Sequence, residues 1–307
     1  MIRVGVLRGG TGNKYDESLA TGAYVLKHLP RDQYEPVDIF VDRAGDWHLG
    51  GVTVTEDKLK LRVDMIWNAL HGFYGEDGKV QQTLESLGIP YLGSNPLASA
   101  VTMNKKLSKE YLTKRGIKTP RGVYVEDWGD GGREDTVTEV VHNISKKLSP
   151  PWLVEPISRP QGDGASRAKT RDELTAILLH MFDADIPVLV EEAVIGKEVS
   201  VDTVSGFRGK HDYTFLPVVK NNLGMRVKKD ESAILQKTAR EVHKAFGLGH
   251  YSRIDTVVTP KGHVYVLSVN TVPKLHPESD LHHSFLEVGS SFEEVARHMI
   301  EGARRRK

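Results

Sequence analysis

The sequence predicts an α/β protein that turns to α+β in its C-terminal part. Three observations predict it. Strand-like apolar runs alternate with helix-period runs through the N-terminal part, the pattern of a parallel sheet covered by helices. Glycines close the first and third of those strands, in "LRGG" and "ALHG", and open α/β sheets bind ligands at such strand ends. Further along, strands follow strands with turn signals between them.

The elements follow in order. "IRVGVL" is a buried strand, "GGTGN" a turn, and Tyr15–Leu29 a helical run. "YEPVDIFV" and "DMIWNALHG" are the next strands, and a helix runs from about Asp77 to Leu87. "SNPLASAVTMNKKLSKEYLTKRG" reads as one long helix: Ser94 or Asn95 caps it, Pro96 fits its first turn and Gly116 stops it. "RGVYVE", "PWLVEPI", "IPVLVEEAV" and "GKEVSVDTVSG" are strands, with "KTRDELTAILLHMF" a helix among them. A helix over Ala233–Phe246, a hairpin within residues 251–275 and a helix over Phe292–Arg304 complete the chain. Boundaries fall near residues 93 and 190, giving units 1–93, 94–190 and 191–307.

Composition narrows the function classes. The chain has 307 residues, 39% hydrophobic and 27% charged, enough for two or three domains with buried cores. Lys and Arg number 42 against 41 Asp and Glu, which argues against nucleic acid or an anionic membrane as partner. The basic "RRRK" tail reads as a solvated terminus. No cysteine is present, which excludes disulfides, thiolate zinc sites and cysteine nucleophiles and suits a cytoplasmic location. No run is long and apolar enough to span a bilayer, and "MIRVGVLRGG" is too short for a signal sequence.

Several clusters can carry chemistry. "HGFYGEDG" (71–78) packs three glycines, a histidine and two acids into a strand-to-helix loop. Such a loop favours an anion at the helix start, although a tight turn with dipole-matched acids has the same composition. "QGDG" (161–164) reads equally as a phosphate-covering loop or a plain connection. The lysines of "NKKLSKEYLTKR" form a solvated face from which one can reach a phosphate. The hairpin is the sharpest case. In "VLSVN" the period-two alternation points Ser268 and Asn270 to one face, and the "TPKG" turn brings Asp255 to it. A carboxylate and an amide suit a hard cation; the serine between them does not. Arg253 lies one alternation before Asp255, where a guanidinium holds a carboxylate or phosphate oxygen.

Together these segments resemble the D-alanine–D-alanine ligases of the ATP-grasp superfamily. The most specific stretches are "ALHGFYGEDGKVQQTLESLGIPYLGSNPLASAVTMNKKLSKEYL", "VLVEEAVIGKEVSV" and "YSRID…VNTVP". The resemblance implies an ATP-grasp fold: an N-terminal substrate domain and two subdomains that grip ATP. It implies transfer of the γ-phosphate to one D-alanine, then attack on the acyl phosphate by the amine of a second, for peptidoglycan synthesis in the cytoplasm. It casts Arg253, Glu76 and Ser18 as catalytic, with His71 and Ser279 binding substrate. Lys105 would contact ATP phosphate, Glu191, Glu192 and Val194 would hold the adenine, and Glu198 the ribose. Asp255 and Asn270 would bind Mg2+, and a homodimer would form through the N-terminal domain.

The chain departs from the family pattern around the phosphates. Lys14 stands for an acid that meets the substrate ammonium, and Glu155 for a phosphate-binding lysine. Gln161 and Gly162 replace loop serines, and the stretch after Asp212 is too short for a further Lys-Tyr loop. Ser268 replaces a metal-bridging glutamate, and "PKLH" a glycine-rich turn. These changes raise two alternatives: a nucleotide- or metabolite-binding protein without ligase activity, and an ATP-grasp ligase for another carboxylate. Lys14, Lys220 or Lys274 would then supply charge, and Glu278 or Asp280 would approach the metal.

Overall fold

The computed structural model describes residues 1–129, 131–159, 164–220 and 227–305. The first unit is built as its apolar pattern requires. Strands β1 (Ile2–Gly9), β2 (Tyr34–Val41), β3 (Trp47–Leu49), β4 (Val52–Val54), β5 (Met65–Asn68) and β6 (Tyr91–Leu92) form one sheet in the order β4-β3-β2-β1-β5-β6. β1 runs parallel to β2 and β5, and β5 parallel to β6. Helices α1 (Tyr15–His28) and α2 (Lys79–Ser86) are the crossovers. The antiparallel β3–β4 hairpin at the edge has no counterpart among the expected elements, because its strands are three residues each.

The long helix expected from Asn95 onward is two helices, α3 (Pro96–Met103) and α4 (Lys105–Thr113). Asn104 breaks them: it ends α3 with extended backbone, and its side chain accepts the Leu107 N–H as the N-cap of α4. The break frees the Lys105 N–H to donate to the Ile157 carbonyl across the molecule.

The second sheet holds β7 (Gly122–Val125), β8 (Trp152–Pro156), β9 (Ser166–Ala168) and β10 (Val188–Glu192), all antiparallel in the order β7-β10-β8-β9. Helices α5 (Arg133–Lys147) and α6 (Arg171–Asp183) cover it, and Val137, Ile144, Trp152, Leu174 and Leu178 share its core. The third sheet holds β11 (Lys197–Ser205), β12 (Asp212–Thr214), β13 (Val218–Val219), β14 (Tyr251–Val258) and β15 (Val264–Asn270). Its order is β12-β11-β14-β15, with β13 beside β11. Helix α7 (Lys229–Phe246) packs on it and stops at Gly247, whose left-handed backbone (φ 59°) closes the helix.

Cores do not follow chain order. Ala98 of α3 and Leu112 of α4 join Val201, Leu235 and Val266 of the third unit. Helices α8 (Asp280–Glu287) and α9 (Phe292–Arg305) return to the first sheet, where Phe285, Phe292 and Met299 pack with Val4, Met65 and Trp67. No described helix is long and apolar enough to cross a membrane. The start of α1, the loop after β5, the α3–α4 break and the β14–β15 hairpin all line one cavity of about 810 Å³.

Candidate active site

The loop after β5 forms the first wall. Asn68 fixes it at both ends: its amide donates to the Gly75 carbonyl and accepts from the Leu70 N–H. Gly75 sits so close that a Cβ there would lie 2.2 Å from the Leu70 carbonyl oxygen, so no other residue fits. The loop points His71 and Glu76 into the cavity. Glu76 accepts the Gly72 N–H at 3.0 Å and lies 3.6 Å from His71 Nδ1, while His71 Nε2 is 2.9 Å from the Thr21 hydroxyl.

Helix α1 adds charge to this wall. Glu17 sits between two ammonium groups, Lys274 at 2.9 Å and Lys14 at 3.3 Å. Burial would raise the Glu17 carboxyl, but Lys274 and Lys14 outweigh it and hold the group below its ordinary value. Ser18, one residue on, is buried and does not line the cavity. Its hydroxyl accepts from Gly9 N–H and donates to the Ala69 carbonyl, tying together the ends of β1 and β5.

The hairpin forms the opposite wall. Asp255 pairs in register with Ser268, and Arg253 with Asn270, so the four side chains predicted to share a face do so. Arg253 is buried and makes a bidentate pair with Asp202, 3.0 Å for each bond, while its other nitrogen lies 3.2 Å from Asp280. Burial disfavours its charge, but the Asp202 and Asp280 carboxylates more than offset this and hold the guanidinium above its ordinary value. Asp255 accepts from the Ser200 hydroxyl at 2.8 Å and the Ser268 hydroxyl at 3.2 Å, and lies 2.7 Å from the Lys220 ammonium. Here too burial works upward, and Lys220 and Arg253 prevail and keep the carboxyl low. The Asn270 side-chain oxygen accepts the Val272 N–H at 2.7 Å.

Helix α4 closes the cavity with cations. Lys105 donates to the carbonyls of Pro156 at 3.0 Å and Arg159 at 2.5 Å. Lys109, one turn later, reaches 2.8 Å from the buried Glu191. Burial holds the Glu191 carboxyl above its usual range against the pull of Lys109, and the nearby Glu155 pushes the same way. Glu155 itself is buried in β8, and Lys105 and Lys109 both lower the Glu191 carboxyl that Glu155 raises.

The structure therefore gathers Glu76, His71, Lys105, Arg253, Asp255, Asn270 and Ser279 around one cavity. Ser279 does so while capping α8, accepting the His282 N–H. Glu191, Glu192, Val194 and Glu198 do not line that cavity. Glu192 accepts the Ser149 N–H, and Glu198 is exposed on β11. Lys274 and Asp280 pair with Glu17 and Arg253. Of the "QGDG" loop, residues 161–163 lie outside the described residues. Lys105 and Lys109, expected on a solvated face, are instead buried where α4 meets the second sheet; the sequence does not single out Glu17 or Asp202. Lys109 had a signal, standing four residues after Lys105 on the same helix face; the others depend on long-range packing.

As a metal centre the donor set is thin. Among the described residues no three His, Asp or Glu side chains gather to hold an ion. Asp255 and Asn270 offer one carboxylate and one amide oxygen, both already engaged within the protein. They fit a single loosely held ion brought in by a ligand, not a bridged pair.

Two family models match the chain: "D-ala D-ala ligase N-terminus" over residues 50–94 and "D-ala D-ala ligase C-terminus" over 210–301. A curated D-alanine--D-alanine ligase of Bacillus anthracis is 31% identical over 98% of this chain and 96% of its own length. That of Geobacter sulfurreducens is 32% identical over 98% of this chain and 94% of its own. Among solved structures, a Bacillus anthracis D-alanine--D-alanine ligase complexed with ATP superposes with a TM-score of 0.81 at 28% identity, covering 99% of this chain and 98% of that one. The Coxiella burnetii ligase has the same fold, with a TM-score of 0.87 at 23% identity over 100% of this chain and 96% of its own.

Proposed function

The chain belongs to the D-alanine–D-alanine ligase family, and from that premise we propose that it joins two D-alanines at the expense of ATP through an acyl phosphate, as a step in peptidoglycan precursor synthesis. One observation carries the reading: the residues that the resemblance casts at the substrate, Glu76 and His71, and at the phosphates, Lys105 and Arg253, line one cavity of about 810 Å³. That size suits a nucleotide together with small substrates.

The chemistry asks little covalent work of the protein. A carboxylate oxygen of the first D-alanine bonds to the γ-phosphorus of ATP, and the bond to ADP breaks. The amine of the second D-alanine gives up its proton to solvent and attacks the acyl carbon; the bond from that carbon to the phosphoryl-bearing oxygen breaks, and inorganic phosphate leaves. The first step develops negative charge on phosphoryl oxygens and the second on the acyl oxygen and the departing phosphate, so fixed cations that need not reorganise lower both barriers. Arg253, held by Asp202 and Asp280, is such a cation, and Lys105, anchored on two backbone carbonyls, is another. Glu76 and Glu17 are the acids available to the ammonium of the first substrate. Magnesium, when bound, neutralises phosphate charge as a Lewis acid; Asp255 and Asn270 are the residues that would hold it, and Ser268 adds only a hydroxyl already donated to Asp255.

The test is release of ADP and phosphate on addition of D-alanine, with D-alanyl-D-alanine identified by mass spectrometry. Absence of D-alanine stimulation at millimolar concentration overturns the reading. Lys14 and Lys274 favour a second one: two ammonium groups flank Glu17 at the substrate wall, which suits an amino acid with an additional carboxylate. In a phosphate-release screen of acidic D-amino acids, stimulation above that by D-alanine would select it.

A further inference from the structure

The Asp255 face of the cavity carries its own cation. A carboxylate has about four lone-pair positions for donors. Three are taken by Ser200, Ser268 and Lys220. The Asn270 oxygen is likewise engaged by the Val272 N–H. An ion binding Asp255 from the cavity would also stand close to the Lys220 ammonium and be repelled by it.

Lys220 is placed there by the sheet rather than by chance contact. β13 pairs with β11 through Val199↔Val219 and Ser200↔Val218, and the Lys220 N–H donates to the Glu198 carbonyl at 2.9 Å. β11 in turn pairs with β14 so that Ser200 faces Asp255. The backbone on both sides of the ion pair is therefore fixed. The side chain is 31% exposed and lines the cavity, and among the described residues its ammonium pairs only with Asp255.

We propose that the Lys220 ammonium, docked on Asp255 and the two serines, is the cation that meets the nucleotide phosphates on this wall, in the position of a divalent ion. This inference rests on the ligase reading above and sharpens it. The site works with at most one metal ion, and nucleotide binding depends only weakly on magnesium.

The experiment measures affinity for a non-hydrolysable ATP analogue by calorimetry, in excess magnesium and in EDTA, for the wild type, Lys220→Met and Lys220→Arg. The wild type is expected to weaken by less than about tenfold on chelation, and Lys220→Met by at least about tenfold more than the wild type. Lys220→Arg is expected to restore wild-type behaviour, since it keeps the charge. Thermal unfolding of each variant confirms that the fold is intact. A wild type that weakens about a hundredfold or more in EDTA, or a Lys220→Met protein that matches it in both conditions, overturns the inference and leaves the ligase reading standing. No binding of the analogue by the wild type in either condition overturns both.

Discussion

Lys105 shows how a single side chain is prepared for phosphate. Its ammonium spends two hydrogen bonds on the carbonyls of Pro156 and Arg159, which fixes it where α4 meets the second sheet. Lys105→Met removes one fixed charge from the cavity and leaves two carbonyls without their donor. The expected result is an ATP KM raised at least about tenfold, equivalent to about 1.4 kcal/mol, with a smaller change in KM for D-alanine. Steady-state kinetics with each substrate varied in turn checks it. His243 makes a different prediction, about stability. It is buried between the Ser205 and Ser252 hydroxyls, at 2.8 and 2.7 Å, and burial lowers its pKa from 6.5 to about 4. The folded protein thus keeps it neutral while the unfolded chain takes up a proton. Its contribution is complete above pH 6.5 and is lost as pH falls toward the folded value. His243→Gln should flatten the decline of the urea midpoint between those limits; an unchanged slope would refute the assignment. At this scale the sequence was informative where periodicity is short. The hairpin alternation placed Asp255, Ser268 and Asn270 together. It was silent on Lys220–Asp255 and Glu17–Lys274, because those pairs join elements far apart in the chain.

At the scale of elements, the α3–α4 break decides the position of Lys105. A helix continuous through Asn104 would carry the lysine around and away, and would tie up the N–H that now reaches Ile157. Asn104 provides the local reason to stop, capping α4 through the Leu107 N–H. Asn104→Ala is expected to destabilise the protein by about 1 kcal/mol, as loss of an N-cap does, and to weaken ATP binding although it touches no ligand. Denaturant unfolding and nucleotide titration on the same variant separate the two effects. Stability loss with unaltered nucleotide affinity would show the break to be a cap and nothing more. The sequence showed the helical pattern on both sides of Asn104 but not the interruption, because cap and helix-interior asparagines differ only in what the backbone does next. The short β3, β4 and β9 strands escaped for a related reason: three residues are too few to show a period.

The whole molecule is held by a core that the chain order hides. Phe285, Phe292, Val295 and Met299 from the C-terminal helices pack against Val4, Val6, Met65 and Trp67 of the first sheet. The rings of Trp67 and Phe292 lie 6.0 Å apart, and Tyr24 meets Phe292 edge-on at 5.1 Å. The Arg297–Asp32 pair, 2.7 Å, joins the same two regions at the surface, where it adds little. One face of the first sheet is therefore covered only in part, by Val25 of α1 and Leu29 just after it, until residues near the C-terminus are present. The core beneath the first sheet thus joins strands before residue 93 to helices near the C-terminus. The consequence can be tested on a fragment ending at Gly93, which is expected to lack cooperative thermal unfolding because its sheet would expose the apolar face that α8 and α9 cover. In the intact chain, Phe292→Ala should cost about 3–5 kcal/mol, the range for truncating a packed aromatic. That loss should also reach the cavity, since His71 and Glu76 stand on the sheet that α9 supports and Ser279 on the helix before it. The variant is expected to unfold at lower denaturant and to show a raised KM for D-alanine with a smaller change for ATP. A fragment 1–93 that folds cooperatively by itself, together with a Phe292→Ala protein of wild-type stability, would show instead that the first unit is independent of the helices packed on it.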